Sequence, residues 1–308
     1  MALGMQAGMW RAGSWLRWLV MAALVWGGVA LPRSWVGANQ MIPWRPGGRM
    51  GGAMAALDGR LYMFGGATAI KAPSTWLSGL DTLFSRQGGK MADTALLGEM
   101  LFFDADRARW IKVPAVGSEQ PEARADHGLA SLPATGKLVL VGGVSRTAEV
   151  LGDVWTFDPG FARWRREATS PVGRRTLHAF CSGDTAVYLY GGVADFTLSA
   201  TNINQDLWMV SPDLTWTQLS DGQGNNRPVD HPGYRLGAGM ASEGRRVFLF
   251  GGCTGNEMED CLLSPQDFLS DVWAFGLDSR AWERLSGAWS DSESTPSPRW
   301  FQGFAALP

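Results

Sequence analysis

From Arg49 onward, short apolar runs alternate with turn residues at a spacing that suits β-strands and no other regular structure. Four runs end in a glycine pair: LYMFGG (61–66), KLVLVGG (137–143), VYLYGG (187–192) and VFLFGG (247–252). They are apolar at consecutive positions, which predicts strands covered on both faces. Each follows a stretch of small residues, such as Ala53 to Ala56, Gly128 to Ala130 or Gly237 to Gly239. Each precedes an acid-led strand, EMLFF (99–103), DVWTF (153–157), DLWMV (206–210) or DVWAF (271–275), and then a tryptophan, Trp110, Trp164, Trp216 or Trp282. The order predicts a repeat of four antiparallel strands, small-residued on the inside and aromatic on the outside. Such units stack radially, because the small inner strands crowd at an axis and the large rings fill a widening wedge. The pairs Gly65–Gly66, Gly142–Gly143, Gly191–Gly192 and Gly251–Gly252 recur at intervals of roughly fifty to eighty residues, the spacing of propeller blades.

These co-ordered positions resemble the kelch-repeat family, and the resemblance runs from Arg49 to the C-terminus. It implies an all-β, kelch-type β-propeller of four-stranded antiparallel blades at 49–114, 124–168, 175–220 and 235–286. Residues 298–308 restart the pattern as part of a fifth blade. An arc with an unpaired edge would be open to self-association, unless the chain is a truncated piece or another molecule closes it. Residues 39–48, rich in Pro and Gly, read as a linker or a closing outer strand.

Ahead of the propeller, Arg11 and Arg17 precede an apolar run from Trp18 to Leu31, and Val36-Gly37-Ala38 offers small residues for cleavage. This is the pattern of a secretory signal peptide over residues 1–38. The run is shorter than the roughly 20 residues a spanning helix needs, so a single-pass anchor at 18–31 is the alternative. The expected location is therefore secreted or lumenal. Removing residues 1–38 takes away three arginines and leaves 24 basic against 29 acidic side chains, a formal charge of −5. A negative surface argues against nucleic acid as partner and against an anionic membrane. Cys253 and Cys261 share one loop, and an oxidising compartment would favour a disulfide between them, whereas Cys181 reads as a small buried hydrophobe.

Loops between the first and second strands are tight, while those after the second strand and between blades are long, at about 67–98, 144–152, 193–205 and 253–270. Strand alternation puts the long ones on one face, the expected place for a protein or peptide ligand. Trp76 and Phe84, in the first long loop, have the spacing of a short amphipathic helix. That helix would either pack its apolar side on the propeller or present it to a partner. Arg49, Arg124, Arg175 and Arg235 recur where each inner strand begins, and Arg299 does so in the partial repeat. A ring of guanidiniums could hold a carboxylate at the mouth. Equally, Glu99, Asp153, Asp206 and Asp271 could pair with them inside the blades.

Enzymatic constellations are harder to assemble. Galactose oxidase carries a kelch-like propeller whose copper site needs paired Tyr and His ligands near a Tyr–Cys crosslink. Here Tyr62, Tyr188 and Tyr190 fall in blade-core strands. His127 and His178 occupy equivalent repeat positions, which favours a structural role over metal binding. Nitrile-specifier proteins, a similar scaffold, use acids and a His for iron, but the acidic run at Glu257, Glu259 and Asp260 has no nearby His. No cofactor is expected. The sequence points to an interaction scaffold, with a carbohydrate-active or metal-dependent enzyme, or a glycan-binding protein using the axial mouth, as the alternative.

Overall fold

The computed structural model describes residues 42–44, 46–69, 94–167, 170–195, 203–222, 231–254, 267–286 and 296–299. The N-terminal segment 1–38 falls outside them, and so do Trp76, Phe84, Cys261 and residues 300–308. In the described chain, strands pair only antiparallel. β1 is Ile42–Trp44, followed by β2 (Ala53–Leu57), β3 (Arg60–Phe64), β4 (Ala67–Ala69), β5 (Thr94–Leu96), β6 (Met100–Asp104) and β7 (Arg109–Val113). The second repeat supplies β8 (Gly128–Leu132), β9 (Lys137–Val141), β10 (Val154–Asp158) and β11 (Arg163–Arg166). The third supplies β12 (Ala179–Ser182), β13 (Val187–Tyr190), β14 (Leu207–Val210) and β15 (Trp216–Ser220), and the fourth β16 (Gly239–Glu243), β17 (Arg246–Phe250), β18 (Val272–Gly276) and β19 (Ala281–Ser286). Each repeat forms one sheet, ordered from its first strand to its fourth, and the inner strands β2, β8, β12 and β16 lie side by side in that order. The result is the all-β propeller that the repeat pattern predicts, with four four-stranded blades.

Two features go beyond the repeat. β1 pairs with β7, Ile42 opposite Lys112 and Trp44 opposite Trp110, so this part of the 39–48 segment is a fifth, outermost strand on the first blade. β4 and β5 form a two-stranded ladder that draws together the two ends of the first long loop.

Turns and cores follow from side-chain size. Asp58 and Gly59 both take positive φ, 49° and 71°, to reverse the chain between β2 and β3. Between the first and second blades, Phe64 meets Trp164 edge-on at 5.1 Å, and Trp164 in turn meets Phe157 at 4.9 Å. Tyr190, Trp282 and Phe275 repeat that arrangement between the third and fourth blades, at 5.4 and 5.1 Å. In the second and fourth blades the closing tryptophan therefore packs on the second strand of the blade before it. The second-to-third interface has an aliphatic centre instead, with Val139, Val141, Val187 and Leu189 fully buried and Phe180, Trp208 and Trp216 packed against it half-buried.

The joints between blades are made by main chain. The amide of the second glycine in each pair donates to the carbonyl of the next blade's arginine: Gly66 to Arg124 (2.8 Å), Gly143 to Arg175 (2.9 Å), Gly192 to Arg235 (3.3 Å) and Gly252 to Arg299 (2.9 Å). Arg299 thus takes up the same position after the fourth blade. Both glycines of the second pair have positive φ, 60° and 100°. A Cβ on Gly142 would sit 2.1 Å from the Arg175 carbonyl oxygen, so no other residue fits there.

Candidate functional site on the propeller axis

The four recurring arginines are buried, at 8%, 0%, 3% and 1% side-chain exposure for Arg49, Arg124, Arg175 and Arg235. Each meets the acid that opens the third strand of its own blade. Arg124 grips Asp153 with two nitrogens at 2.6 and 2.8 Å, Arg175 grips Asp206 at 2.5 and 3.1 Å, and Arg235 grips Asp271 at 2.9 and 3.2 Å. Arg49 reaches Glu99 by a single bond of 3.1 Å. Every one of these guanidiniums also donates to the carbonyl of the first glycine of its pair, at 2.9–3.2 Å. With both ends committed inside the blade, the ring presents no free guanidinium to the mouth.

A third partner joins three of these pairs. Trp155, Trp208 and Trp273 lie two residues after the acid and donate their indole N–H to it at 2.6–2.7 Å. The signal was in the sequence as Asp-x-Trp, which the first blade replaces with Glu99 and Leu101. Charge-assisted bonds of this kind hold a carboxylate ionised. Burial alone would raise the Asp271 pKa, but the Arg235 charge and hydrogen bonds and the Trp273 indole outweigh it and hold the carboxyl below its usual range. Asp153 is depressed by the same balance, with Arg124 and Trp155 as its partners.

Closer to the axis, the second and third residues after each arginine come together around a cavity of about 160 Å³. Two blades contribute only small residues there, Gly51 with Gly52 and Gly237 with Ala238. The other two contribute Asp126 with His127 and Leu177 with His178. The rim is a chain of main-chain bonds between blades: Asp126 N–H to the Gly51 carbonyl (2.8 Å), Leu177 N–H to Asp126 (3.3 Å) and Gly237 N–H to Leu177 (2.9 Å). All four rim residues take positive φ, 63°, 54°, 57° and 59° in chain order. Glycine adopts this backbone freely and Asp tolerates it, but for Leu177 it costs roughly 1–2 kcal/mol.

The two imidazoles are packed into the blades beside the cavity, His127 edge-on to Phe64 at 5.5 Å and His178 edge-on to Phe180 at 5.8 Å. Both ring nitrogens of His127 and of His178 are buried without a hydrogen bond. By contrast His231, away from the axis, accepts the Gly233 amide at 3.0 Å. Burial pushes the His127 pKa down to about 3, helped by Arg124 and His178 and opposed by Asp153 and the Phe64 carbonyl. His178 falls to about 3 as well, through burial and then Arg175. Both imidazoles are therefore neutral at physiological pH, each with one donor and one acceptor nitrogen. Asp126 is raised to about 6 by burial alone. Among the described residues no group of three His, Cys, Asp or Glu side chains is arranged to hold a metal ion.

The sequence placed His127 and His178 at equivalent positions but gave no sign that Asp126 joins them. That follows from the side-by-side packing of β2, β8, β12 and β16, which brings separate blades to one axis. Tyr62, Tyr188 and Tyr190 are buried in blade strands, and Tyr190 donates its hydroxyl to the Gly233 carbonyl at 2.7 Å.

Fold and site together define a propeller with an internally neutralised Arg–acid ring and a small polar cavity on its axis. The sequence profile of the KLHDC2/KLHL20/DRC7 Kelch-repeats domain matches residues 38–252, and the chain belongs to that Kelch-repeat family. Among characterised proteins it is similar to the N-acetylneuraminate epimerase of Haemophilus influenzae (strain PittEE), at 27% identity over 135 residues. That alignment covers 44% of this chain and 32% of the enzyme, so the chain spans about a third of the length of the relative it matches.

Proposed function

We propose that this protein is a secreted or lumenal interaction scaffold that binds a protein or peptide on the face carrying its long loops. One observation carries the reading. The second strands end at Phe64, Val141, Tyr190 and Phe250 and the third begin only at Met100, Val154, Leu207 and Val272, whereas first and second strands are joined within a few residues, Leu57 to Arg60, Leu132 to Lys137, Ser182 to Val187 and Glu243 to Arg246. In an antiparallel four-stranded blade the long connections all fall on the side where second strands end and first strands begin. The opposite side has only short turns such as Asp58–Gly59 and Gly136. A rigid disc with its variable-length chain on one face is the usual arrangement of a binding scaffold. Export supports a disulfide between Cys253, fully buried beside Leu236 and Phe268, and Cys261.

The reading is tested with a photocrosslinking residue placed at Thr254, on the long-loop side, or at Glu243, on the short-turn side. A partner captured from position 254 and not from 243 is expected; equal capture from both sides overturns the assignment of the face. In protein recovered from outside the cytosol, the mature N-terminus should follow Ala38, and a non-reduced digest should contain the Cys253–Cys261 linkage.

The second reading, an enzyme or glycan-binding protein using the axial mouth, rests on the cavity lined by Asp126, His127 and His178. The similarity to N-acetylneuraminate epimerase adds little to it, because the axial cavity presents a carboxyl group and no cationic side chain. A carboxylate-bearing sugar acid would need the reverse. Loss of a glycan activity on changing His127 or His178, with folding intact, would favour this reading.

A further inference from the structure

We infer that the outer edge of the third blade, strand β15, is a docking site for an extended segment of a partner protein. The segment adds to the sheet as a further antiparallel strand, β-branched in its middle and basic at its ends. The inference goes beyond the long-loop reading, because β15 lies on the circumference of the disc and not on that face.

Four equivalent edges can be compared. In every blade the fourth strand is the outermost of the repeat. A bare edge presents unpaired amides and carbonyls, and proteins guard it with charged side chains or a covering segment. The closing tryptophans put the four edges in register: Trp110, Trp164, Trp216 and Trp282 stand opposite Phe103, Phe157, Val210 and Phe275 of the third strands. The next two residues are Ile111 and Lys112, Arg165 and Arg166, Thr217 and Gln218, and Glu283 and Arg284. The second and fourth blades thus carry a pair of exposed charges at this point. The first blade is covered instead, by β1, whose three residues stand opposite Trp110, Ile111 and Lys112. The third blade has neither device. β15 holds no charged residue, Gln218 is exposed, and among the described residues no strand pairs with its outer side. The first blade shows that an edge of this kind accepts an added antiparallel strand at these very positions.

The surroundings of the edge select the occupant. Trp216, half-buried and edge-on to Trp208 at 6.5 Å, keeps part of its ring at the surface. Thr217 beside it suits a threonine or valine on the added strand, since cross-strand pairs of such residues stabilise sheets. Asp213, in the turn before β15, and Asp221, immediately after it, are both exposed, so each end of the edge is acidic. A second copy pairing antiparallel about Thr217 would set Asp213 opposite Asp221 at both ends, on chains of net negative charge. A strand with lysine or arginine at each end meets an opposite charge twice.

The test is an anisotropy titration of a labelled peptide, Lys-Val-Thr-Val-Thr-Lys, with the whole protein at low ionic strength. Saturable binding is expected. The same peptide N-methylated at its interior amides keeps its side chains and charge but loses its main-chain donors, and should not bind. Replacing both lysines by glutamate should weaken binding by a factor of roughly ten or more. The double variant Thr217→Arg/Gln218→Arg gives β15 the residues that β11 carries, so it should melt as wild type does and lose the peptide. The peptide controls decide the matter independently of that variant. No binding of the lysine-ended peptide, equal binding of its N-methylated or glutamate-ended form, or full binding by a folded double variant overturns the inference. So does a wild-type dimer that the double variant converts to monomer, which assigns the edge to a second copy. None of these results touches the crosslinking comparison between Thr254 and Glu243.

Discussion

Removing Arg175 should cost this protein far more than the loss of a surface charge would. Its guanidinium is 3% exposed and its partner Asp206 15% exposed, joined by two bonds at 2.5 and 3.1 Å. It also donates to the carbonyls of Gly191 and Val172, both at 3.2 Å. In Arg175→Ala, Asp206 keeps only the Trp208 indole, at 2.6 Å. A carboxylate stranded in that position is the situation in which breaking a buried pair costs about 3–5 kcal/mol. For a domain of this size roughly 2–4 °C of melting temperature go with each kcal/mol, so a fall of about 10 °C is expected. Asp206→Ala should do comparable damage, because it strands the guanidinium and an indole N–H together. The double variant should lose less than the sum of the two, since both charges then leave at once. Urea unfolding followed by tryptophan fluorescence reads all three, with Arg245→Ala as a control. Arg245 and Asp278 pair at 70% exposure each, and no measurable change is expected there. Unchanged midpoints for Arg175→Ala and Asp206→Ala would refute the reasoning and return the arginine ring to candidacy as a ligand site.

Acid should weaken the fold earlier than carboxylate titration alone predicts. His127 and His178 titrate at about 3 when folded against about 6.5 unfolded, so the stability they lend is full above pH 6.5 and is lost as pH falls toward 3. Asp126 acts in the opposite sense, since its folded value of about 6 lies above the unfolded 3.9: its contribution is full below pH 3.9 and is lost as pH rises through 6. Melting curves of His127→Gln/His178→Gln should therefore decline less than wild type between pH 6.5 and 4.5, and an identical decline would count against the buried neutral imidazoles. Gly142→Ala combines a φ of 60° with a Cβ placed 2.1 Å from the Arg175 carbonyl, so it should yield little folded protein; normal expression and melting would show that the joint between blades can move aside.

Much of this fold can be read from the chain because the repeat states its rules four times. Consecutive apolar residues before each glycine pair announce doubly covered strands, and the closing tryptophans announce the wedge they fill. The arginines and the acids were equally visible, but linear sequence could not say which acid each arginine meets. That depends on the first and third strands of one blade starting at the same edge. The indole of the Asp-x-Trp motif was legible in principle, since residues two apart on a strand share a face. Pairing of Ile42–Trp44 with the first blade was not, because three residues carry too little pattern to choose a neighbour. The axial cavity was the least legible feature. Its lining positions are those at which the repeats disagree, and disagreement between repeats reads as noise until four blades place those residues around one centre.

The rim of that cavity is held by amides and carbonyls, Gly51 to Asp126 to Leu177 to Gly237. Main-chain mortar of this sort is indifferent to what the side chains are. The four blades of this chain show as much, with Gly51, Asp126, Leu177 and Gly237 standing at one equivalent position while the masonry around them stays the same.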